Sequence, residues 1–80
     1  MTIAYDDLDL YPRWRISHYM HAVYARAGRD RDKLRKAAED CARWYDVDTQ
    51  AVIRVWRVAY PEDLVRMYRQ KMEEGECQQN

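Results

Sequence analysis

Apolar residues recur three and four positions apart along most of this chain, in four segments separated by short breaks. This spacing places them on one face of a helix, whereas a half-buried strand requires strict alternation. The segments cover residues 13–27, 30–45, 49–59 and 61–74. The sequence therefore predicts an all-α fold of four helices.

Residues that start or stop helices stand at the breaks between these segments. Gly28 suits the left-handed residue that follows many helices. Asp30 or Asp32 can cap the second helix, and Asp48 can cap the third. Helical geometry is disfavoured for the residue before Pro61, which places the end of the third helix near residue 60.

Length and charge distribution set the domain organisation. Eighty residues correspond to one small domain, and 48% of them are apolar, which is too many for a disordered chain. The fourteen basic residues all lie between Arg13 and Lys71, while residues 1–10 form an acidic N-terminal segment. Gly75 is expected to end the fourth helix and to leave residues 76–80 as a frayed tail. A net charge of zero by itself argues against nucleic-acid binding, but a basic middle is compatible with it.

Several classes of protein find no support in the sequence. The chain has no glycine-rich phosphate loop and no nucleophile motif, so we expect no enzyme and no cofactor. No apolar run reaches membrane-spanning length, and residues 1–10 do not resemble a signal peptide, so we expect a cytoplasmic protein without membrane contact. Two cysteines are too few for a disulfide framework, and Cys41 falls on an apolar helical face.

The stretch "EDCARWYDVDTQAVIRVW", residues 39–56, resembles the helix-turn-helix pattern of DNA-binding domains. That pattern has a small residue in its first helix, as at Ala42, and a turn residue four positions later. The turn residue is usually glycine, whereas this chain has Asp46. An apolar residue follows the turn, here Val47, and Val52 and Val55 occupy the two anchor positions of the second helix. The resemblance implies that helices 2 and 3 form a helix-turn-helix pair.

The polar side chains of the third helix suit DNA recognition. Gln50, Arg54 and Arg57 lie within about 60° of one another on the helical wheel, and Thr49 stands at the exposed N-terminal end. In a major groove, glutamine pairs with adenine and arginine with guanine. We expect Trp56 to lie on the opposite, buried face, together with the two valine anchors.

Phosphate contacts require basic side chains outside this helix. The candidates are arginines of the first two helices: Arg13, Arg15, Arg26, Arg31 and Arg35. One helix-turn-helix reads only a short half-site, so a DNA-binding regulator of this size is expected to be a homodimer on double-stranded DNA.

Protein binding is the alternative function. Two helices joined by a short turn occur in most all-α proteins, and a small adaptor or inhibitor of the phage or plasmid type would have the same pattern. Trp44 beside Arg43 is a residue pair typical of interface anchors. A continuous basic face around residues 50, 54 and 57 favours DNA, whereas a mixed or acidic face favours a protein partner.

The stretch "DLDLY", residues 7–11, resembles the peptide with which bacterial proteins dock on the replication sliding clamp. Leu8 and Leu10 match its two leucines and Tyr11 its aromatic residue, but Asp7 replaces the leading glutamine. The alternative is that the two leucines pack on the first helix.

His18 and His21 are three residues apart on a predicted helix and could share a metal ion, with Cys41 as a third ligand. No second ligand pair repeats this spacing. A core position for Cys41 explains the sequence better, so we expect no metal site.

Overall fold

A computed structural model describes the backbone of residues 2–79 and the side chains of residues 2–74. Within these residues the chain forms four α-helices and no strand, which confirms the predicted all-α fold. The helices are α1 (Leu10–Ala27), α2 (Arg31–Tyr45), α3 (Thr49–Val58) and α4 (Pro61–Gln79), and a short 3-10 helix (Tyr5–Asp7) precedes α1. Among the described helices, none is both long enough and apolar enough to cross a membrane.

The predicted capping residues account for the junction between α1 and α2. Gly28 follows α1 with a φ of 62°, and its N–H donates to the carbonyl of Tyr24 at 2.8 Å. Asp30 caps α2, and its carboxylate accepts from the backbone N–H groups of Asp32 and Lys33 at 3.1 and 3.3 Å. Both caps are local signals of the kind that can be read from sequence.

Two predicted helix boundaries are wrong. α1 begins at Leu10 rather than after Pro12, because proline is accommodated within the first turn, where its missing N–H would have no helical acceptor. α4 continues through Gly75 to Gln79, so the helix has no stop at Gly75 and its backbone remains helical over most of the expected tail. A glycine inside a helix costs only about 1 kcal/mol relative to alanine, which is too little to end it.

α1 is the central element and packs against α2, α3 and α4. Among the described side chains, the main core cluster has ten buried apolar residues from the N-terminal segment, the four helices and the turn between α2 and α3: Leu8, Ile16, Met20, Ala37, Ala38, Cys41, Val47, Val52, Val55 and Leu64. Ser17 of α1 is also fully buried, and its hydroxyl donates to the carbonyl of Ala59 at 3.1 Å. This bond ties the junction between α3 and α4 to the central helix.

Candidate nucleic-acid interface

The turn between α2 and α3 consists of residues 46–48. Asp46 adopts the left-handed conformation (φ 53°, ψ 42°), which aspartate tolerates better than most residues other than glycine. The backbone N–H groups of Asp46 and Val47 both donate hydrogen bonds to the carbonyl of Ala42. The Val47 side chain is 2% exposed. Asp48 caps α3 by accepting from the N–H of Gln50 at 3.2 Å. Asp46 therefore takes a conformation for which glycine is the usual residue.

Burial along α3 divides the helix into an inner and an outer face. Ala51, Val52 and Val55 are buried, and Ala42 of α2 is partly buried. On the outer face, Gln50, Arg54 and Arg57 are exposed, and Thr49 is partly exposed. The outer face thus carries all four residues that the sequence assigned to DNA.

Trp56 departs from its expected position. The side chain is only half-buried, and its ring lies 5.7 Å from the ring of Tyr24 on α1. On the helical wheel of α3, Trp56 lies next to the border between the buried and the exposed face. Its large ring packs against the edge of the core and stays partly exposed. Trp56 is therefore a boundary residue and not part of the buried core.

The N-terminal segment lies along the α2–α3 turn and α3. Ile3 forms an isolated bridge with Val47: the Ile3 N–H donates to the Asp46 carbonyl at 2.6 Å, and the Asp48 N–H donates to the Ile3 carbonyl at 3.4 Å. Two residues further along, the centroid of the Tyr5 ring lies 4.2 Å from the guanidinium carbon of Arg54. The acidic segment is thus packed beside the helix that carries the candidate DNA contacts.

Arg13 joins this contact from α1. Its guanidinium carbon is 4.5 Å from the Tyr5 ring centroid, and its Nη2 donates to the Tyr5 carbonyl at 2.8 Å. Sequence reasoning missed the role of Tyr5, and the only signal for it is an aromatic residue in an otherwise acidic stretch. Arg13, a candidate phosphate contact, is instead partly buried and holds the N-terminal segment.

The other candidate phosphate contacts are divided between two surfaces. Arg15 is exposed on α1 and lies 5.8 Å from the ring of Trp14, and Arg26 is exposed near the end of the same helix. Arg31 and Arg35 line a groove together with Arg57 of α3. Only these last two therefore share a surface with a candidate base contact.

Charge is unevenly distributed around α3. Asp46 and Asp48 are exposed at its N-terminal end, and Asp6 and Asp7 are exposed on the adjoining segment. The basic side chains lie in its second half and across the groove on α2. The face around residues 50, 54 and 57 is therefore mixed, acidic at one end and basic at the other.

The predicted interface pair, Arg43 and Trp44, lies at the end of α2. The Trp44 side chain is 61% exposed, and its ring lies 5.0 Å from that of Tyr19 on α1. The Arg43 guanidinium forms an ion pair with Asp40, one turn earlier on the same helix. Trp44 is accessible to a partner, while Arg43 already has an acidic neighbour.

The segment that resembles a clamp-docking peptide is folded into the molecule. Leu8 is 5% exposed within the core, and Leu10 and Tyr11 form the first residues of α1. Tyr11 also lies 5.8 Å from the ring of Trp14. Packing on the first helix accounts for these residues, since Leu8 could bind a clamp only after leaving the core.

The structure does not bring His18, His21 and Cys41 together as three ligands of one metal ion. Among the described residues, no group of three metal-ligating side chains comes together. His18 is exposed, whereas the Nε2 atom of His21 lies 3.4 Å from the carbonyl oxygen of Ala59. Burial raises the pKa of the Cys41 thiol to about 11, and the nearby Asp40 carboxylate adds to the effect. A thiol with so high a pKa stays protonated at neutral pH and is a poor ligand and nucleophile.

Comparisons of the chain with family models, with curated proteins and with solved structures give no match. The chemistry of its surface is therefore the basis for inferring what the protein does.

Proposed function

We propose that the protein binds double-stranded DNA through α2 and α3, with the outer face of α3 in the major groove. The observation that carries this proposal is the left-handed turn at Asp46 followed by the buried Val47. After this turn α3 packs against α2, and Gln50, Arg54 and Arg57 are exposed to solvent. An exposed second helix with hydrogen-bonding side chains is what major-groove recognition requires.

The second half of α3 makes the main base contacts in this proposal. Asp46 and Asp48 place negative charge at the N-terminal end of the helix, where it opposes approach to phosphates. Arg54 and Arg57 lie beyond these carboxylates and suit guanine, while Gln50 and Thr49 complete the reading set. Arg31 and Arg35, across the groove from Arg57, are the proposed phosphate contacts.

A homodimer acting as a transcription regulator in the cytoplasm is the form that we propose. One α3 helix covers only a short half-site, so two copies are needed for useful sequence specificity. Met67 and Met72 of α4 are 49% and 51% exposed, so α4 has apolar side chains that a second copy could cover.

The test is a fluorescence anisotropy titration of a labelled random duplex pool at low and rising salt. Binding should weaken steeply with salt, because phosphate contacts release counterions. Arg54→Ala and Arg57→Ala should each lose affinity, and at least one should relax sequence preference by about 1–3 kcal/mol. Arg66→Ala, an exposed arginine of α4, is the matched control and should bind like the parent chain. Absence of binding to any duplex at low salt contradicts the proposal.

A protein partner is the second candidate, and the exposure of Trp44 favours it. A small domain has few large apolar side chains to spare, yet this indole is 61% exposed. The mixed charge around α3 is also compatible with an adaptor or inhibitor, because protein interfaces pair charges of both signs.

Trp44→Ala tests this second candidate. The substitution should weaken capture of a partner by at least about 2 kcal/mol and leave the helical circular dichroism of the free chain unchanged. Tyr60→Ala is the matched control, because Tyr60 is an equally exposed aromatic residue, at 65%, on another part of the surface. If Trp44→Ala instead unfolds the free chain, the indole contributes to the stability of the fold rather than to partner binding.

A further inference from the structure

An open groove of about 690 Å³ lies between the end of α1, the first half of α2 and the second half of α3. Its floor is apolar and includes three half-buried side chains: Leu34, Ile53 and Trp56. Tyr24, which is 41% exposed, stands beside Trp56 on the same wall. The groove therefore offers a surface into which an apolar side chain can insert.

The rim of this groove is strongly basic. Four arginines surround it, from the α1–α2 turn, α2 and α3: Arg29, Arg31, Arg35 and Arg57. Asp32 is the one acidic residue of the lining, and it pairs with Arg35 at 3.2 Å. Among the described side chains, the other three arginines have no ion-pair partner. An acidic ligand would supply the missing charge.

We propose that this groove binds an acidic segment of a partner protein that inserts an aromatic or branched aliphatic side chain between Trp56 and Leu34. The carboxylates of the segment pair with Arg29, Arg31 and Arg57, for which arginine's planar fork is well suited. The inserted side chain removes apolar floor from water, which supplies most of the affinity. The basic rim therefore requires carboxylates in the ligand, and the apolar floor requires an apolar side chain between them.

A DNA backbone could pair with the arginines of the rim, but it has no apolar group to cover the floor of the groove. Phosphates and sugars would pair with the arginines and leave Ile53 and Trp56 without an apolar partner. An acidic peptide satisfies both parts of the groove, and this is why we place a protein segment there. The proposal does not rest on DNA binding, although Arg31, Arg35 and Arg57 belong to both surfaces.

A labelled synthetic peptide tests the ligand chemistry with the full chain at low salt. The probe carries aspartate and glutamate on both sides of a central Leu–Phe pair. One control peptide replaces Leu–Phe by Ser–Ser, and the other replaces every acidic residue by lysine. Anisotropy should show saturable binding of the probe, binding of the serine peptide weaker by about tenfold or more, and no binding of the lysine peptide. Equal binding of the probe and the serine peptide, or no binding of the probe, overturns the proposal.

Paired substitutions test the location. Arg29→Gln with Arg31→Gln should lower probe affinity by about tenfold, because two charge-assisted contacts are lost. Arg66→Gln with Arg69→Gln removes the same charge from α4, outside the groove, and should leave probe affinity unchanged. Urea denaturation of both variants checks that the fold is retained. Equal loss in the two variants would mean that general charge attraction explains the binding, and the groove would be excluded.

Two further measurements separate this groove from the proposed DNA face. Trp56→Phe should retain probe binding while removing most of the change in tryptophan fluorescence that accompanies it. Arg54→Ala, outside the groove lining, should lower duplex affinity but not probe affinity. If Arg29→Gln with Arg31→Gln weakens duplex binding and leaves probe binding intact, the rim serves phosphates and the proposal is wrong.

Discussion

The two ends of α3 differ in what their side chains do. At the N-terminal end, Asp48 caps the helix, Asp46 adopts the left-handed turn and Val47 is buried. Ile3 pairs with this turn through two backbone hydrogen bonds. Each of these contacts positions the helix.

The second half of α3 has the opposite character. Arg54 and Arg57 are exposed, and Trp56 is half-buried at the edge of a groove. No capping or turn requirement dictates these residues. The comparison teaches that aspartates selected for backbone geometry bring negative charge to one end of the helix, so ligand binding is expected at the other end.

The largest expected effect compares valine at the two ends. Val47→Asp should destabilise the chain by more than about 3 kcal/mol, because an unpaired carboxylate would replace a side chain that is 2% exposed. Val58→Asp, at a position that is 63% exposed, should cost less than about 1 kcal/mol, mainly from negative charge at the helix C-terminus. Urea denaturation followed by circular dichroism measures both. If both substitutions lower the free energy of unfolding equally, the turn before α3 contributes no more to stability than the C-terminal end of the helix.

A second comparison concerns two tryptophans. Trp56→Ala should cost about 1–3 kcal/mol, less than the 3–5 kcal/mol or so of a fully buried aromatic residue, because Trp56 lies at the margin of the core. Trp44→Ala should cost about 1 kcal/mol or less, since the indole is mostly exposed and the substitution removes its contact with Tyr19. The free energies of unfolding from chemical denaturation decide the order. The reverse order would place Trp44, not Trp56, in the core.

The sequence was sufficient for features that depend on neighbouring residues. Helical spacing predicted the four helices, and the short run from Asp46 to Asp48 predicted the turn between α2 and α3. Burial of Val52 and Val55 also followed from the wheel. Where the local signal is small, the prediction was wrong: one glycine at position 75 does not stop α4.

Contacts between distant parts of the chain could not be predicted. Tyr5 and Arg54 are far apart in sequence, and no periodicity links the N-terminal segment with α3. The groove likewise needs α1, α2 and α3 in their final packing before its arginines share a rim. Arg31, Arg35 and Arg57 are therefore recognisable in the sequence as separate candidates, but the surface that they form together is not.

A charge-neutralising pair sharpens the comparison at the DNA face. Asp46→Asn with Asp48→Asn should raise duplex affinity by about three- to tenfold at low salt, because two carboxylates near the phosphates are removed. Asparagine tolerates the left-handed conformation and caps helices as well as aspartate, so stability should hardly change. Anisotropy titrations measure the affinity.

The control for this pair is Glu62→Gln with Asp63→Asn in the first turn of α4, which changes the net charge equally. That variant should gain much less affinity. A similar gain in both variants would mean that only the overall charge matters and that the N-terminal end of α3 does not approach DNA.

The smallest expected effect concerns Tyr5, whose ring lies over Arg54. The contact between a ring and an exposed guanidinium is worth about 0.5–1 kcal/mol, and Arg54 must give it up to reach a base edge. Tyr5→Leu removes the ring but keeps an apolar side chain, so it should raise duplex affinity by about two- to fivefold and lower the free energy of unfolding by a similar energy. Tyr5→Phe keeps the ring face and should resemble the parent chain in both measurements. If Tyr5→Leu instead weakens duplex binding, Tyr5 orients Arg54 for its contact, and the N-terminal segment is then part of the DNA-binding surface.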